Sequence, residues 1–97
     1  MPTLAVIVSG NVNNQTKVDK YKSVAGPVLK KHGASIPPQS YQVSEVIAGK
    51  AAPSFMLKIE FPNKENITAA FNDPDYIAVI NERDEGFGDL SIFVVEQ

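Results

Sequence analysis

Two segments, one near each end of the chain, are apolar at almost every position. Residues 4–9 read LAVIVS and residues 90–95 read LSIFVV. Half-exposed strands alternate apolar and polar residues, so this pattern indicates strands that are buried on both faces. A chain of 97 residues has helices enough for only one side of such a sheet. We therefore expect a second copy of the same sheet to cover the other side.

The longest helical pattern lies at residues 17–32, where apolar side chains recur at a spacing that places them on one face. Thr16 is predicted to cap its first turn, and Gly33 is predicted to end it. Pro27 follows Gly26 inside this pattern. Because proline lacks an amide hydrogen and clashes with the preceding turn, we expect a kink there.

The remaining elements are two strands, at residues 41–48 and 55–61, and two helices, at residues 64–71 and 74–82. Asn63 and Asp73 are predicted to cap these helices, with Pro74 in the first position of the second one. The order β-α-β-β-α-β predicts a single domain over residues 1–97 with an α+β, ferredoxin-like fold. Such a fold has one antiparallel sheet with helices on one face.

Composition restricts the chemistry that is available to one chain. There is no cysteine and only one histidine, which excludes disulfides, thiolate metal sites and metal centres with several histidines. No phosphate-binding glycine loop opens a helix. The acids at Asp84, Glu85 and Asp89 do not follow the spacing of a calcium-binding loop. We therefore expect no metal and no other cofactor.

Charge and hydropathy argue against nucleic-acid and membrane partners. The first fifty residues carry six lysines against two acids, whereas the remainder carries nine acids against three cations. No basic stripe with interleaved aromatic residues appears, so nucleic-acid binding is not expected. The first apolar run lacks a basic flank and is too short for a signal peptide or a membrane span. A cytoplasmic protein with no membrane partner is the expectation.

Glu60 lies on a predicted central strand, on the face opposite Phe61. In a sheet-on-sheet dimer its carboxylate points towards the partner, where it must be paired or have a raised pKa. An ion pair with Lys58, or across the dimer, is the structural interpretation. A role in a ligand pocket is the functional one.

His32, the one histidine, falls at the end of the first predicted helix. There its ring can cap the last carbonyl groups, and the helix dipole favours its charged form. The functional alternative is a general base at the mouth of a pocket. No sequence signature pairs it with a nucleophile.

The stretch FNDPDYIAVINERDEGFGDL, residues 71–90, raises a similar choice. Tyr76 and Arg83 are two turns apart, so on a continuous helix they share one face. The arginine, the only one in the chain, could hold a substrate carboxylate with two hydrogen bonds. It could instead pair with Glu82, with Asp84 or with an acid across the dimer.

Several short motifs resemble one known family. They are Tyr21 with Pro27, Lys31-His32-Gly33, Ile59-Glu60-Phe61-Pro62, Asn72-Asp73-Pro74-Asp75-Tyr76, and Arg83. Together they resemble a family of small domains of unknown function in the dimeric α/β-barrel superfamily, which also holds the antibiotic-biosynthesis-type monooxygenases. The resemblance covers most of the chain. It implies a homodimer with its sheets face to face and a pocket between sheet and helices, often used for small, cofactor-free chemistry.

Two functions remain open from the sequence. The first is a homodimer whose pocket binds a small polar or aromatic metabolite, with cofactor-free oxygenation or isomerisation as the reaction that the resemblance implies. Its candidate ligand-binding residues are Tyr21, His32, Glu60, Asn72, Tyr76 and Arg83. The second is a non-catalytic structural or regulatory dimer without a dedicated ligand. In that case the two tyrosines are core packing with satisfied hydroxyl groups, and the charged residues are ion pairs and caps.

Overall fold

One antiparallel sheet and the helices that cover it are formed by residues 4–49 and 52–97, the part of the chain described by this computed structural model. The strands are β1 (Leu4–Val12), β2 (Tyr41–Gln42), β3 (Phe55–Phe61) and β4 (Phe87–Glu96). The helices are α1 (Gln15–Lys31), α2 (Lys64–Phe71), α3 (Pro74–Ile77) and α4 (Ile80–Gly86). The strand order is β2-β3-β1-β4, so β1 and β3 are central. The predicted ferredoxin-like α+β fold is confirmed.

The core lies between the helices and one face of the sheet. Val6 of β1 faces the helices, opposite Ile59 of β3 and Val94 of β4. The other buried members of the core are Ala25, Val28, Leu29, Phe61, Ile67, Ala70 and Tyr76. Alternate residues of the strands point to the other side. We call that side the open face, and it includes Ile7, Tyr41, Met56, Lys58, Glu60, Phe93 and Val95.

The first helix begins two residues earlier than predicted, ends one residue earlier, and has a different cap. The side chain of Asn14 accepts a hydrogen bond from the amide of Lys17 at 3.2 Å, so the prediction of Thr16 as the cap is wrong. Asparagine at that position satisfies a first-turn amide as well as threonine would. At the other end Gly33 has φ of 91°, the left-handed conformation that ends many helices, as predicted. The helix continues through Pro27.

The second strand is much shorter than predicted. Residues 41–48 were expected to form it, but only Tyr41–Gln42 pair with the sheet, opposite Met56 and Phe55. Because β3 begins at Phe55, the chain beyond β2 has no strand beside it among the described residues. Its apolar side chains are consequently exposed, and Ile47 is 93% exposed. Periodicity alone does not make a strand when no partner strand reaches that far.

The predicted helix at residues 74–82 is two short helices, α3 and α4. Val79 precedes the first residue of α4, and its side chain makes no capping hydrogen bond. The residue type at this position therefore did not indicate a break. The end of α4 lies directly against α1. A Cβ atom on Gly86 would stand 2.9 Å from Cγ2 of Val18 and 3.0 Å from its backbone nitrogen. Phe87 then begins β4, three residues before the predicted start.

A polar corner joins the end of α1 to the start of α3. The carboxylate of Asp73, which is 8% exposed, accepts a hydrogen bond from Nε2 of His32 at 2.9 Å and lies 3.1 Å from Nζ of Lys31. It also caps α3 by accepting from the amide of Asp75 at 2.9 Å. The contact with His32, together with the Asp75 amide and Lys31, lowers the pKa of Asp73 to about 2.

Asp73→Asn tests this corner, because asparagine keeps the helix cap and removes the charge. The pKa of Asp73 is depressed in the folded state, so its contribution to stability is complete above its ordinary pKa of 3.8 and is lost as the pH falls towards about 2. We expect the variant to be less stable at pH 7, with the difference from the natural protein closing between about pH 4 and pH 2. Urea denaturation across this range measures it.

Asp75→Asn is the matched control. It removes the same charge from an exposed side chain that lies two residues further along the chain. It should change stability at pH 7 by less than the Asp73 variant does. Equal losses in the two variants, or a difference that persists at pH 2, would contradict the assigned role of the corner.

Candidate functional site

A cavity of about 500 Å³ lies between α1 and the helix-facing side of the sheet. Known small-molecule sites occupy roughly 300 to 1,000 Å³. Its apolar lining includes Val8, Ala25, Leu29, Ile36, Pro37, Pro38, Leu57 and Ile59, and three aromatic rings, Tyr21, Phe55 and Phe87. Its uncharged polar lining consists of Gln15, Ser40, Gln42 and Ser54. An apolar interior with a few polar side chains is the usual lining of a small-molecule site.

Three of the six predicted site residues form a hydrogen-bonded chain beside this cavity. The hydroxyl groups of Tyr21 and Tyr76 lie 3.0 Å apart. Nη1 of Arg83 donates to the Tyr76 hydroxyl at 3.1 Å, and its guanidinium carbon lies 5.9 Å from the centroid of that ring. The shared face of Tyr76 and Arg83 was expected for a continuous helix, and although the helix is broken between them the two side chains are in contact.

Aromatic packing holds the two hydrogen-bonded tyrosine side chains in place. The Tyr76 ring, 1% exposed, meets the ring of Tyr21 edge-on at a centroid distance of 5.9 Å and that of Phe71 at 5.0 Å. Tyr21 in turn meets Phe87 edge-on at 5.8 Å. Edge-on contacts of this kind add to the free energy gained by burial. Tyr21 is thus held between the buried core and the cavity.

Burial also influences the charge states of Tyr21 and Arg83. The pKa of the Tyr21 hydroxyl is strongly raised, first by burial and then by the neighbouring Tyr76, so Tyr21 remains a neutral phenol. Burial alone would lower the pKa of Arg83. Its hydrogen bonds to Tyr76 and to Asp84, whose carboxylate accepts from Nε at 3.0 Å, raise it instead. The expected pairing of Arg83 with Asp84 is formed, whereas Glu82 pairs with Lys20 at 3.3 Å.

Glu60 does not reach the cavity. It lies on the open face with its side chain 54% exposed, and its carboxylate pairs with Nζ of Lys58 at 3.4 Å. The ion pair proposed as its structural interpretation is therefore present. The backbone of Glu60 exchanges two hydrogen bonds with Ser35, at 2.8 and 3.1 Å. This bridge lies on the side of β3 where β2 pairs.

The other two predicted site residues also lie apart from the cavity. The ring of His32 contacts Asp73 rather than the last carbonyls of α1, which the sequence had suggested as its partners. Asn72 is exposed and donates to the carbonyl of Thr68 at 2.8 Å, which closes the last turn of α2. A single pocket lined by all six residues is not formed. Of the six, Tyr21 alone lines the cavity.

Sequence reasoning missed most of the cavity lining. Pro37 and Pro38 hold the chain away from regular pairing with β3, and Ile36, Ser40 and Gln42 border the cavity with them. Their double proline was the available signal. Gly26 and the lysines beside it also line the cavity, and the sequence had marked Gly26 only as an interruption of α1.

Tyr76→Phe tests the hydrogen-bonded chain. It removes one oxygen and leaves two partners, Arg83 and Tyr21, without their shared contact. We expect a loss of about 1 to 3 kcal/mol in the free energy of unfolding, because buried polar groups left unsatisfied are costly. Tyr21→Phe is the matched control, since it leaves the bond between Tyr76 and Arg83 intact. It should cost less in urea denaturation, and the opposite ranking would contradict the geometry.

Comparison with solved structures supports the fold. A protein of unknown function from Rhodopseudomonas palustris matches with a TM-score of 0.86 at 13% identity, covering 99% of this chain and 82% of that one. A dimeric ferredoxin-like protein of unknown function from Thermobifida fusca matches with a TM-score of 0.59 at 10% identity, covering 99% and 92%. A ferredoxin-like protein of the DABB family from Mesorhizobium loti matches with a TM-score of 0.61 at 13% identity, covering 100% and 96%.

Curated proteins offer no match to this sequence. No helix in the described part of the chain is long and apolar enough to cross a membrane. A family model matches residues 4–97 and is described as a domain of unknown function. This agrees with the resemblance that the short motifs indicated. Since the match spans nearly the whole chain, the protein belongs to the family named Domain of unknown function (DUF1330).

Proposed function

We propose that this protein is a homodimer in which each copy binds a small molecule with an apolar or aromatic body in the cavity between α1 and the sheet. The cavity carries the proposal. It has about 500 Å³ of space, aromatic rings from Tyr21, Phe55 and Phe87 along its wall, and neutral polar side chains among its lining. A purely structural dimer has no need of such a space, because unfilled apolar volume costs stability.

The proposal is for binding, with no reaction assigned. Among the described residues, the only titratable side chains that line the cavity are Tyr21, Lys22 and Lys30. Tyr21 is a neutral phenol because its pKa is strongly raised by burial. It is a hydrogen-bonding group and not a base at neutral pH. Cofactor-free oxygenation or isomerisation therefore stays a prediction from the resemblance alone.

The open face supports the dimer. Ile7 and Val95 are partly buried, while Tyr41 is 65%, Phe93 47% and Met56 38% exposed, and these side chains share one side of the sheet. An apolar sheet face of this kind is typical of a protein interface. A second copy is the simplest occupant, because a two-fold axis would place the same face of each chain together. The dimeric relative from Thermobifida fusca has the same fold.

Phe93→Glu tests the dimer, because it places a charge in the middle of the open face. Light scattering of the natural protein is expected to give twice the chain mass of 10.5 kDa, and the variant is expected to give the chain mass. Val94→Glu is the matched control. Val94 is the next residue, is 51% exposed, and points to the other side of the sheet. A monomeric natural protein, or equal dissociation of both variants, would contradict the proposal.

Gly26→Phe tests the cavity. A Cβ atom on Gly26 has nothing within 4 Å, so a ring can be added there without a clash at its root, and it would fill the mouth of the cavity. The probe is N-phenyl-1-naphthylamine, an uncharged dye that fluoresces in apolar surroundings. We expect a saturable increase in fluorescence with the natural protein and none with the variant.

Ala69→Phe is the control for this test, because it adds the same ring to an exposed position of α2 outside the cavity. It should leave the fluorescence increase unchanged. Binding that survives in Gly26→Phe but disappears in Phe93→Glu would place the dye on the open face and contradict the cavity as the site.

A further inference from the structure

The lysines of α1 divide into two groups. Three are paired with acids: Lys17 with Glu85, Lys20 with Glu82 and Lys31 with Asp73. The other two, Lys22 and Lys30, form no ion pair with any residue that the structure describes. These two are the lysines that line the cavity. The unpaired positive charges of this helix are therefore gathered at one place.

Their spacing frames an opening. Lys22, Gly26 and Lys30 follow one another at intervals of four residues, so they lie along one face of α1. At a rise of 1.5 Å per residue, the two lysine backbones stand about 12 Å apart. Gly26 between them has no side chain and open space around it. The helix thus presents a gap with an ammonium group on a flexible stem at each end.

The cavity carries no negative charge to balance them. Within residues 4–49 and 52–97, none of those that line it is an aspartate or a glutamate, although the whole chain has a net charge of −2. The lining as a whole is therefore positive in an acidic protein. A local excess of one sign at the mouth of an apolar cavity attracts small ions of the opposite sign and weakens the binding of like-charged ones.

The apolar interior restricts the kind of anion. Leu57, Ile59 and the ring of Phe55 offer only apolar surface, which suits a molecule with an apolar or aromatic body. We propose that the molecule bound in this cavity is a carboxylate with an apolar or aromatic body, whose charged end lies between Lys22 and Lys30. This inference rests on the proposed function and names the chemical class of its ligand.

The test compares two probes of the same shape, naphthalene-2-carboxylate and the neutral naphthalene-2-carboxamide, by titration of the ¹⁵N-labelled full chain followed by NMR. An exposed pairing with one lysine is worth roughly threefold in affinity, so two lysines should favour the carboxylate roughly tenfold. Lys22→Gln and Lys30→Gln should each reduce this preference roughly threefold, and the double variant should abolish it. Added salt should weaken the binding of the carboxylate and leave the binding of the carboxamide unchanged.

Lys20→Gln is the matched control, because it removes the same charge from the same helix at a position that pairs with Glu82 and does not line the cavity. It should leave the preference unchanged. Equal affinity for both probes in the natural protein, or a preference that survives in the double variant, would overturn this inference and leave the proposed cavity intact. Failure of both probes to bind would instead overturn the proposed function.

Discussion

Coverage of the sheet on one side only is the constraint from which the rest of the molecule follows. All the helices that the structure describes pack on one face of the sheet, so the two faces of β1 have different surroundings. Val6 meets the core, while Ile7 and its cross-strand partner Phe93 look out from the open face. The apolar side chains of that face contribute to stability through burial only when a partner removes them from water. The apolar character of both sides of β1 is therefore what the proposed dimer would explain.

The cavity results from a second imbalance, between the length of α1 and the width of the sheet beneath it. β2 contributes only Tyr41–Gln42, and the double proline at residues 37–38 keeps the preceding chain out of the ladder. The sheet is therefore narrow on the β2 side, and α1 extends over space that a longer strand would have filled. Ile36, the two prolines, Ser40 and Gln42 border that space. Tyr21, held by Tyr76, closes one wall.

Local chemistry made much of this fold predictable. The caps at Asn63 and Asp73, the left-handed Gly33 and the bounds of β3 follow from residue type and periodicity, which act over a few positions. The length of β2 did not follow, because it depends on where β3 begins in space. The site divides in the same way. The spacing of Tyr76 and Arg83 suggested a shared face on a continuous helix, and the two side chains do meet, whereas the separation of Glu60 and His32 from the cavity depends on the packing of distant segments.

Gly26 and Pro27 are the poorest helix formers in α1, and they stand where the helix borders the cavity. A glycine inside a helix costs about 0.5 to 1 kcal/mol relative to alanine, and an interior proline costs about 3 kcal/mol. The buried side chains of the same helix, Ala25, Val28 and Leu29, offset these costs by packing into the core. Departures from local preference in natural proteins gather at functional sites. Because a side chain at residue 26 would narrow the gap between Lys22 and Lys30, the proposed binding of a ligand there would account for an unfavourable residue at this position.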